Sequence, residues 1–202
     1  MNKARLEAFS DGVLAIILTI MVLDLHVPRD GALASLAPVA PVLASYAMSF
    51  VYIGIYWNNH HHLLHAAKRI DGLVMWANLH LLFWLSLVPF ATGWLGDHLG
   101  VAAPTALYGT VLLMAALAWL ILQQRIIAGD GPDSELARAV GRDRKGKATR
   151  YLYATAIGLS FVSPWSAFGI YILVALLWVV PDPRIERRIR EAPQDVPSGS
   201  SS

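Results

Sequence analysis

Four histidines within residues 58–65 are the side chains in this sequence that most directly suggest metal chemistry. His61 and His65 stand at i and i+4, so a helix would place both imidazoles on one face, where they could ligate a metal ion. Metal sites usually add a carboxylate or a third oriented histidine, and this run contains no Glu. The alternative is a histidine-rich helix end at a membrane surface. We therefore predict no metal site and no cofactor.

A second candidate is a pair of charges beside an apolar helix. Arg5 and Asp11 come before the run 12–23, which is uncharged and almost wholly apolar. Charges at membrane depth are costly unless they are paired or wetted, so this placement predicts a functional helix. Arg5 could simply anchor the helix at the interface. Because Asp11 lies too deep to reach the interface easily, we favour a polar network that joins both residues to neighbouring helices.

An apolar stripe follows along the same helix. At about 100° per residue, Ile16, Thr19, Ile20 and Leu23 fall on one face. Ordinary packing in a helix bundle would explain the stripe. Ordinary packing is the favoured explanation from periodicity alone; the alternative is a narrow pore, since apolar rings can gate an ion path by excluding water and Thr19 could replace part of a hydration shell. Asp24, at the end of the run, could concentrate cations at an outer mouth or bond to the helix end.

An ordered set of motifs runs through the first half of the chain. It consists of Arg5-x-x-x-Phe9-Ser10-Asp11, Ala15–Thr19, Trp57-x-x-His60, Asp71, Asn78 and Pro89-Phe90. The order and spacing of these residues resemble those of the transmembrane-protein-175 family of potassium channels. The second half of the chain resembles that family only in hydropathy.

The resemblance implies both a function and an assembly. It implies a potassium-permeable cation channel in which the first-helix stripe forms the constriction, in place of a carbonyl filter. One copy of the stripe cannot enclose a pore, and the family implies a homotetramer around a central axis. It also implies that Arg5, Phe9, Ser10 and Asp11 share a polar network with His60 and Asn78.

Composition independently indicates a membrane protein. Of 202 residues, 56% are hydrophobic, which is more than a soluble domain of this length would carry. The absence of cysteine excludes disulfides, thiolate metal sites and cysteine nucleophiles. No nucleophile–base pair, phosphate loop or cofactor fingerprint is evident, so we predict that the chain is not an enzyme. The expected partners are membrane lipids, monovalent cations such as the permeant potassium ion, and further copies of the chain, with no nucleic acid.

The predicted fold class is all-α, an integral membrane bundle of six transmembrane helices within residues 1–182. A helix needs about 20 apolar residues to cross the hydrocarbon layer. Pro89 predicts a kink near Ser86 in the third helix. The predicted helices are 5–25, 36–65, 72–95, 103–127, 148–162 and 165–181, with a basic cytoplasmic loop at 128–147 and a disordered cytoplasmic tail at 183–202.

The distribution of basic residues predicts the topology. With six helices and a cytoplasmic N-terminus, Arg29 is the only one of the 16 Lys and Arg residues placed outside. Five helices would put the C-terminal arginines outside, against the positive-inside rule. We therefore expect both termini in the cytoplasm, and the resemblance to prokaryotic members of the family implies a bacterial inner membrane.

Two other functions stay open on sequence alone. One is a metal carrier or membrane enzyme centred on the histidine run. The other is a non-conducting structural membrane protein. The channel hypothesis places a damaging substitution on the stripe that begins at Ile16, whereas the carrier hypothesis places it at His61 or His65.

Overall fold

Long helices account for most of the chain in the computed structural model, which describes residues 3–28, 30–131, 134–140 and 143–179. The described residues form helices and no strand, in agreement with the predicted all-α class. The α-helices, numbered in chain order, are α1 Lys3–Leu23, α2 Ala40–Ala66, α3 Gly72–Ser86, α4 Val88–Asp97, α5 Ala102–Asp130, α6 Glu135–Val140, α7 Arg144–Ser160 and α8 Pro164–Val179.

Four segments among the described residues are long and apolar enough to cross a membrane. They are Lys3–Leu23, Leu33–Ala66, Gly72–Asp97 and Ala102–Asp130. Helix α8 is apolar but has 16 residues, and α7 has 17 residues with charges in its first turn. The six-helix count therefore stays a prediction, with α7 and α8 as the segments that it adds.

Prolines account for two departures from regular helix. Residues Leu33–Val39 form a 3-10 helix that contains Pro38, and the α-helical geometry of α2 begins after it. The predicted third helix is divided at Leu87 into α3 and α4, beside the predicted kink near Ser86. Pro89 has no backbone N–H, so it lies in the first turn of α4, where a missing donor is tolerated.

The region predicted as a basic loop at 128–147 is mostly helical where it is described. Helix α5 continues to Asp130, α6 covers Glu135–Val140 and α7 begins at Arg144. Helix α7 starts four residues before the predicted position 148 because Asp143 caps it, with its carboxylate accepting from the backbone N–H of Gly146 at 2.8 Å. The predicted tail at 183–202 lies outside the described residues.

Small side chains and buried hydroxyls hold the second half of the bundle together. The phenol of Tyr171 on α8 donates to the carbonyl of Thr105 on α5 at 3.0 Å. This approach requires Gly109, since a methyl group there would collide with the Tyr171 hydroxyl. On α2, Ser49 bonds to Thr92 of α4 and to Tyr108 of α5. Helix α7 packs mainly against α5 and α8, whereas α1 packs against α2, α3 and α4.

Candidate functional site

Helix α1 presents two different faces to the rest of the chain. Its buried face carries Leu6, Ser10, Leu14, Ile17 and Met21, which pack against the neighbouring helices. The predicted stripe lies on the other face. The relative exposures in the single chain are 59% for Ile16, 45% for Ile20 and 80% for Leu23, and Thr19 is exposed beside them. The stripe is therefore available to face lipid, a pore or another copy of the chain.

A buried chain of hydrogen bonds fixes the inner face of α1. Asn78 on α3 donates from Nδ2 to Ser10 Oγ at 2.9 Å, and Ser10 donates to the carbonyl of Leu6 at 2.9 Å. The amide oxygen of Asn78 lies 2.6 Å from His60 Nε2 on α2, so His60 donates from Nε2. All three side chains are almost completely buried. Asn78 thus joins α1, α2 and α3 at one point.

A second set of contacts, which we call the α1–α2 ladder, ties α1 to α2 along their length. Asp11 accepts from the indole N–H of Trp57 at 3.1 Å, and Glu7 Oε1 lies 2.9 Å from His61 Nδ1. Lys3 donates to the carbonyl of His65 at 2.7 Å and to that of Ala67 at 3.2 Å. The α1 members are spaced by four residues and so are their partners at 57, 61 and 65, which is the register of two antiparallel helices in contact.

Sequence reasoning missed two members of this ladder, Lys3 and Glu7. The signal was present in the sequence, since the charged residues 3, 7 and 11 share one helical face and 57, 61 and 65 share another. What the sequence does not supply is that these two faces meet. We considered His61 and His65 as metal ligands or surface residues, and not as contacts of Glu7 and Lys3 on the first helix.

The six residues predicted to form one polar network are divided in the structure. Ser10, His60 and Asn78 form the buried chain, and Asp11 belongs to the ladder through Trp57. Arg5 and Phe9 lie apart from both, on a face of α1 that the single chain leaves exposed. Arg5 forms no hydrogen bond or ion pair with the described part of the chain. The reason is angular, because positions 5 and 9 point away from α2 and α3.

His80, two residues after Asn78 on α3, does not join the buried chain. Its Nε2 accepts from the indole N–H of Trp84 at 3.0 Å, one turn along α3. His80 therefore contributes to the interior of α3 rather than to the junction at Asn78.

The histidine run serves more than one purpose. His60 is buried, while His61 and His65 are exposed, and their rings stack with centroids 6.1 Å apart. Within the described ranges no group of three or more His, Cys, Asp or Glu residues is arranged to hold a metal ion. Among the described residues, the histidine side chains of the run make polar contacts with Asn78 on α3 and Glu7 on α1, and the backbone carbonyl of His65 accepts from Lys3.

Thr19 has a specific geometry on the stripe. Its hydroxyl donates to the carbonyl of Ile16 at 2.8 Å, one turn earlier. The hydroxyl hydrogen is therefore occupied by the helix, and the oxygen lone pairs stay free on the exposed side. An oxygen in that state can accept from water or approach a cation.

A groove runs beside the stripe. It has a volume of about 510 Å³ and lies between α1 and the α3–α4 break. The exposed carboxylate of Asp24 stands in it, close to Gly93 on α4. The lining residues are Val13, Ile16, Ile17, Ile20, Asp24, Ser86, Pro89 and Phe90.

Comparison with known proteins gives consistent results. The sequence profile of a family described as "Endosomal/lysosomal potassium channel TMEM175" matches residues 5–89. A potassium channel of Chryseobacterium sp. (strain P1-3) is 51% identical over 95% of this chain and 100% of its own length. One from Streptomyces collinus is 34% identical over 88% of this chain and 92% of its own length.

A solved structure is similar over nearly the whole fold. It is the crystal structure of a lysosomal potassium-selective channel TMEM175 homolog from Chamaesiphon minutus. The TM-score is 0.75 at 29% identity, covering 88% of this chain and 96% of that one. The similarity therefore extends through the second half, where the sequence alone offered only hydropathy.

Proposed function

Because the chain belongs to the TMEM175 family, we propose that it is a potassium-permeable channel of the membrane, formed by identical copies around a central pore. Its relatives from Chryseobacterium and Streptomyces are named potassium channels, which places this chain among channels rather than enzymes. The observation that supports the proposal best is the two-faced α1: Asn78 and the ladder hold its inner face, while the apolar stripe stays exposed.

In this proposal the stripe supplies the constriction. Ile16, Ile20 and Leu23 from each copy form successive apolar rings around the axis. Such rings exclude water when the pore is narrow, so an ion passes only when the rings widen or when it sheds part of its shell. Thr19 places an oxygen with free lone pairs between the rings, where it can replace a water of the ion.

The groove beside α1 supports assembly by the same face. An apolar concavity of about 510 Å³ that contains Ile16 and Ile20 is suited to receive side chains of a neighbouring α1. A closed ring of copies would cover both the groove and part of the stripe. We take the number of copies to be four, as the family resemblance implies. Asp24 of each copy then lies near the outer mouth of the pore.

The orientation follows from charge. Lys3 and Lys68 lie at one end of the bundle, since Lys3 reaches the carbonyls that end α2, and Asp130 at the end of α5 accepts from the Lys68 backbone. The start of α7, which carries Arg144, lies toward the same end, because Thr149 and Arg150 line a cavity together with Asn59 of α2. The positive-inside rule puts this end in the cytoplasm, together with both termini. A bacterial inner membrane is the corresponding location.

Reconstitution tests the function directly. Purified protein in potassium-loaded liposomes should release potassium well above the rate of protein-free liposomes, and a sodium gradient should drive less flux than an equal potassium gradient. Flux equal to that of protein-free liposomes would contradict the proposal. Among the described residues, no contact favours the carrier, the enzyme or the non-conducting alternative over a channel.

A further inference from the structure

Helix α7 carries a stripe of exposed residues on the side that faces away from the bundle. The side chains along this stripe change from cationic to aromatic to small. Arg144, Lys147, Tyr151, Thr155 and Gly158 are all exposed, and they follow one another at spacings of three and four residues. One helical face therefore begins with two cations, continues with a tyrosine that is 76% exposed, and ends with small side chains. The opposite face, with Thr149, Tyr153 and Ala156, packs into the bundle.

The two cations on this stripe are not neutralised by the acid nearest to them in sequence. Asp143 accepts from the backbone of Gly146 through one oxygen and from Arg150 at 3.4 Å through the other. Arg144 and Lys147 form no ion pair with any part of the chain that is described. The start of the stripe therefore carries a net positive charge toward the surroundings of the protein.

The spacing along the stripe matches the layers of a lipid leaflet. At about 1.5 Å per residue, Lys147 stands about 6 Å and Arg144 about 10 Å beyond Tyr151 along the helix axis. The headgroup region of one leaflet is about 5–7 Å thick. With Tyr151 at the edge of the hydrocarbon, where tyrosine is enriched, Lys147 falls at the depth of lipid phosphates and Arg144 stands just beyond that layer, on its aqueous side. The exposed small residues Ala154, Thr155 and Gly158 then lie at acyl-chain depth.

The stripe is also remote from the proposed pore. Helix α7 packs mainly against α5 and α8, whereas α1 packs against α2, α3 and α4. A Cβ atom at Gly158 would have no neighbour within 4 Å, so no other part of the described chain covers the end of the stripe. A molecule bound there would contact lipid on its other side.

We propose that the α7 stripe is a binding site for one anionic phospholipid, with its phosphate between Arg144 and Lys147, its glycerol at Tyr151 and an acyl chain along Ala154 to Gly158. This inference goes beyond the proposed channel function, because it does not depend on where the pore lies. It rests on charge complementarity between a lipid phosphate and two cations that form no ion pair among the described residues, combined with small side chains at the matching depth.

Calorimetric titration of the purified protein in a non-ionic detergent tests the site. The probes are dioctanoyl phosphatidylglycerol, dioctanoyl phosphatidylcholine and glycerol phosphate, which has the anionic headgroup without acyl chains. We expect phosphatidylglycerol to bind more tightly than phosphatidylcholine, with an affinity that falls at high salt, and glycerol phosphate not to compete. The double variant R144Q/K147Q should bind phosphatidylglycerol roughly 10- to 30-fold more weakly.

The chain offers a matched control in Lys68 and Arg69, two exposed cations at the same end of the bundle. The variant K68Q/R69Q removes the same charge and should keep the affinity within about twofold of the wild type. An equal loss in both double variants would show general electrostatic attraction and overturn the site. Competition by glycerol phosphate would show an anion site rather than a lipid site. If R144Q/K147Q elutes as an aggregate, the single variant K147Q must still weaken binding, and unchanged affinity there overturns the proposal.

Discussion

Asn78 Nδ2 lies 2.9 Å from Ser10 Oγ, and this hydrogen bond between two fully buried side chains joins α3 to the inner face of α1. The same Asn78 accepts from His60 on α2. One amide thereby satisfies polar groups of two other helices. The stripe lies on the opposite side of α1, so this junction determines the direction in which Ile16 and Ile20 point.

Asn78→Leu should destabilise the protein more than the small difference in side-chain volume would suggest. Leucine is similar in volume but leaves the buried His60 Nε2 without an acceptor, at a cost of about 1–3 kcal/mol, and takes from Ser10 the donor it accepts from, while Ser10 keeps its bond to the Leu6 carbonyl. Thermal unfolding in detergent measures the loss. His80→Ala is the control, because His80 lies on the same helix and bonds only to Trp84 among the described residues. Equal midpoints for Asn78→Leu and the wild type would contradict a structural role for the junction.

The α1–α2 ladder predicts a measurable coupling between Glu7 and His61. Both side chains are partly exposed, so we expect the pair to stabilise the fold by only about 0.2–1 kcal/mol. A double-mutant cycle of Glu7→Ala and His61→Ala isolates that coupling. Arg5→Ala should change stability less than Glu7→Ala, because Arg5 has no partner in the described part of the single chain. A coupling free energy of zero would show that the contact between Glu7 and His61 does not stabilise the fold.

Asp11→Ala tests the ladder contact between Asp11 and Trp57. It removes the acceptor of the Trp57 indole N–H, and because this bond is exposed we expect a loss on the order of 0.5–1.5 kcal/mol, together with weaker assembly. The measurement is the fraction of oligomer retained on heating in detergent. Asp11→Asn keeps an oxygen acceptor and should recover much of the loss. Unchanged oligomer stability in Asp11→Ala would mean that Asp11 is merely solvated.

The extent to which sequence predicts this molecule differs between its parts. Helix class and most boundaries follow from hydropathy and proline, because a membrane helix depends on local length and composition. The grouping of Ser10 with His60 and Asn78 was expected from the motif. The separation of Arg5 from them was not, since it depends on the rotation of α1 against its neighbours. Likewise, the capping bond of Asp143 starts α7 before residue 148. We did not predict this start, because the many charged residues of the region indicated a loop.

Cysteine labelling tests the six-helix topology. Because the sequence contains no cysteine, a reagent can label only the cysteine that is introduced. Ala34, Val162, Lys68 and Arg144 are exposed. In the proposed orientation, Ala34→Cys and Val162→Cys should react with an impermeant reagent from outside. Lys68→Cys and Arg144→Cys should react only after the membrane is opened. Reaction of Val162→Cys and Arg144→Cys from one side would mean that α7 does not cross the membrane.

Asp24→Asn should lower potassium flux most at low ionic strength. An exposed carboxylate at the outer mouth raises the local concentration of cations, and salt screens this effect over a Debye length of about 10 Å at 0.1 M. Flux at low and high salt therefore separates an electrostatic role from a structural one. Asp97→Asn, an exposed acid at the end of α4, is the control. A loss of flux that does not change with salt would assign Asp24 a structural role.

The central claim is that the exposed stripe of α1 forms the constriction, and Ile16→Asn tests it most directly. Asparagine would place a ring of amides at the narrow point and hydrate it, so the barrier from dehydrating an ion should fall. Potassium and sodium flux are measured in the same liposomes for Ile16→Asn, His61→Ala and Leu176→Asn. Leu176, 60% exposed on α8, controls for a polar residue on an exposed apolar surface. We predict higher flux with less preference for potassium in Ile16→Asn alone. Wild-type flux and selectivity in Ile16→Asn, with loss in His61→Ala, would contradict the account.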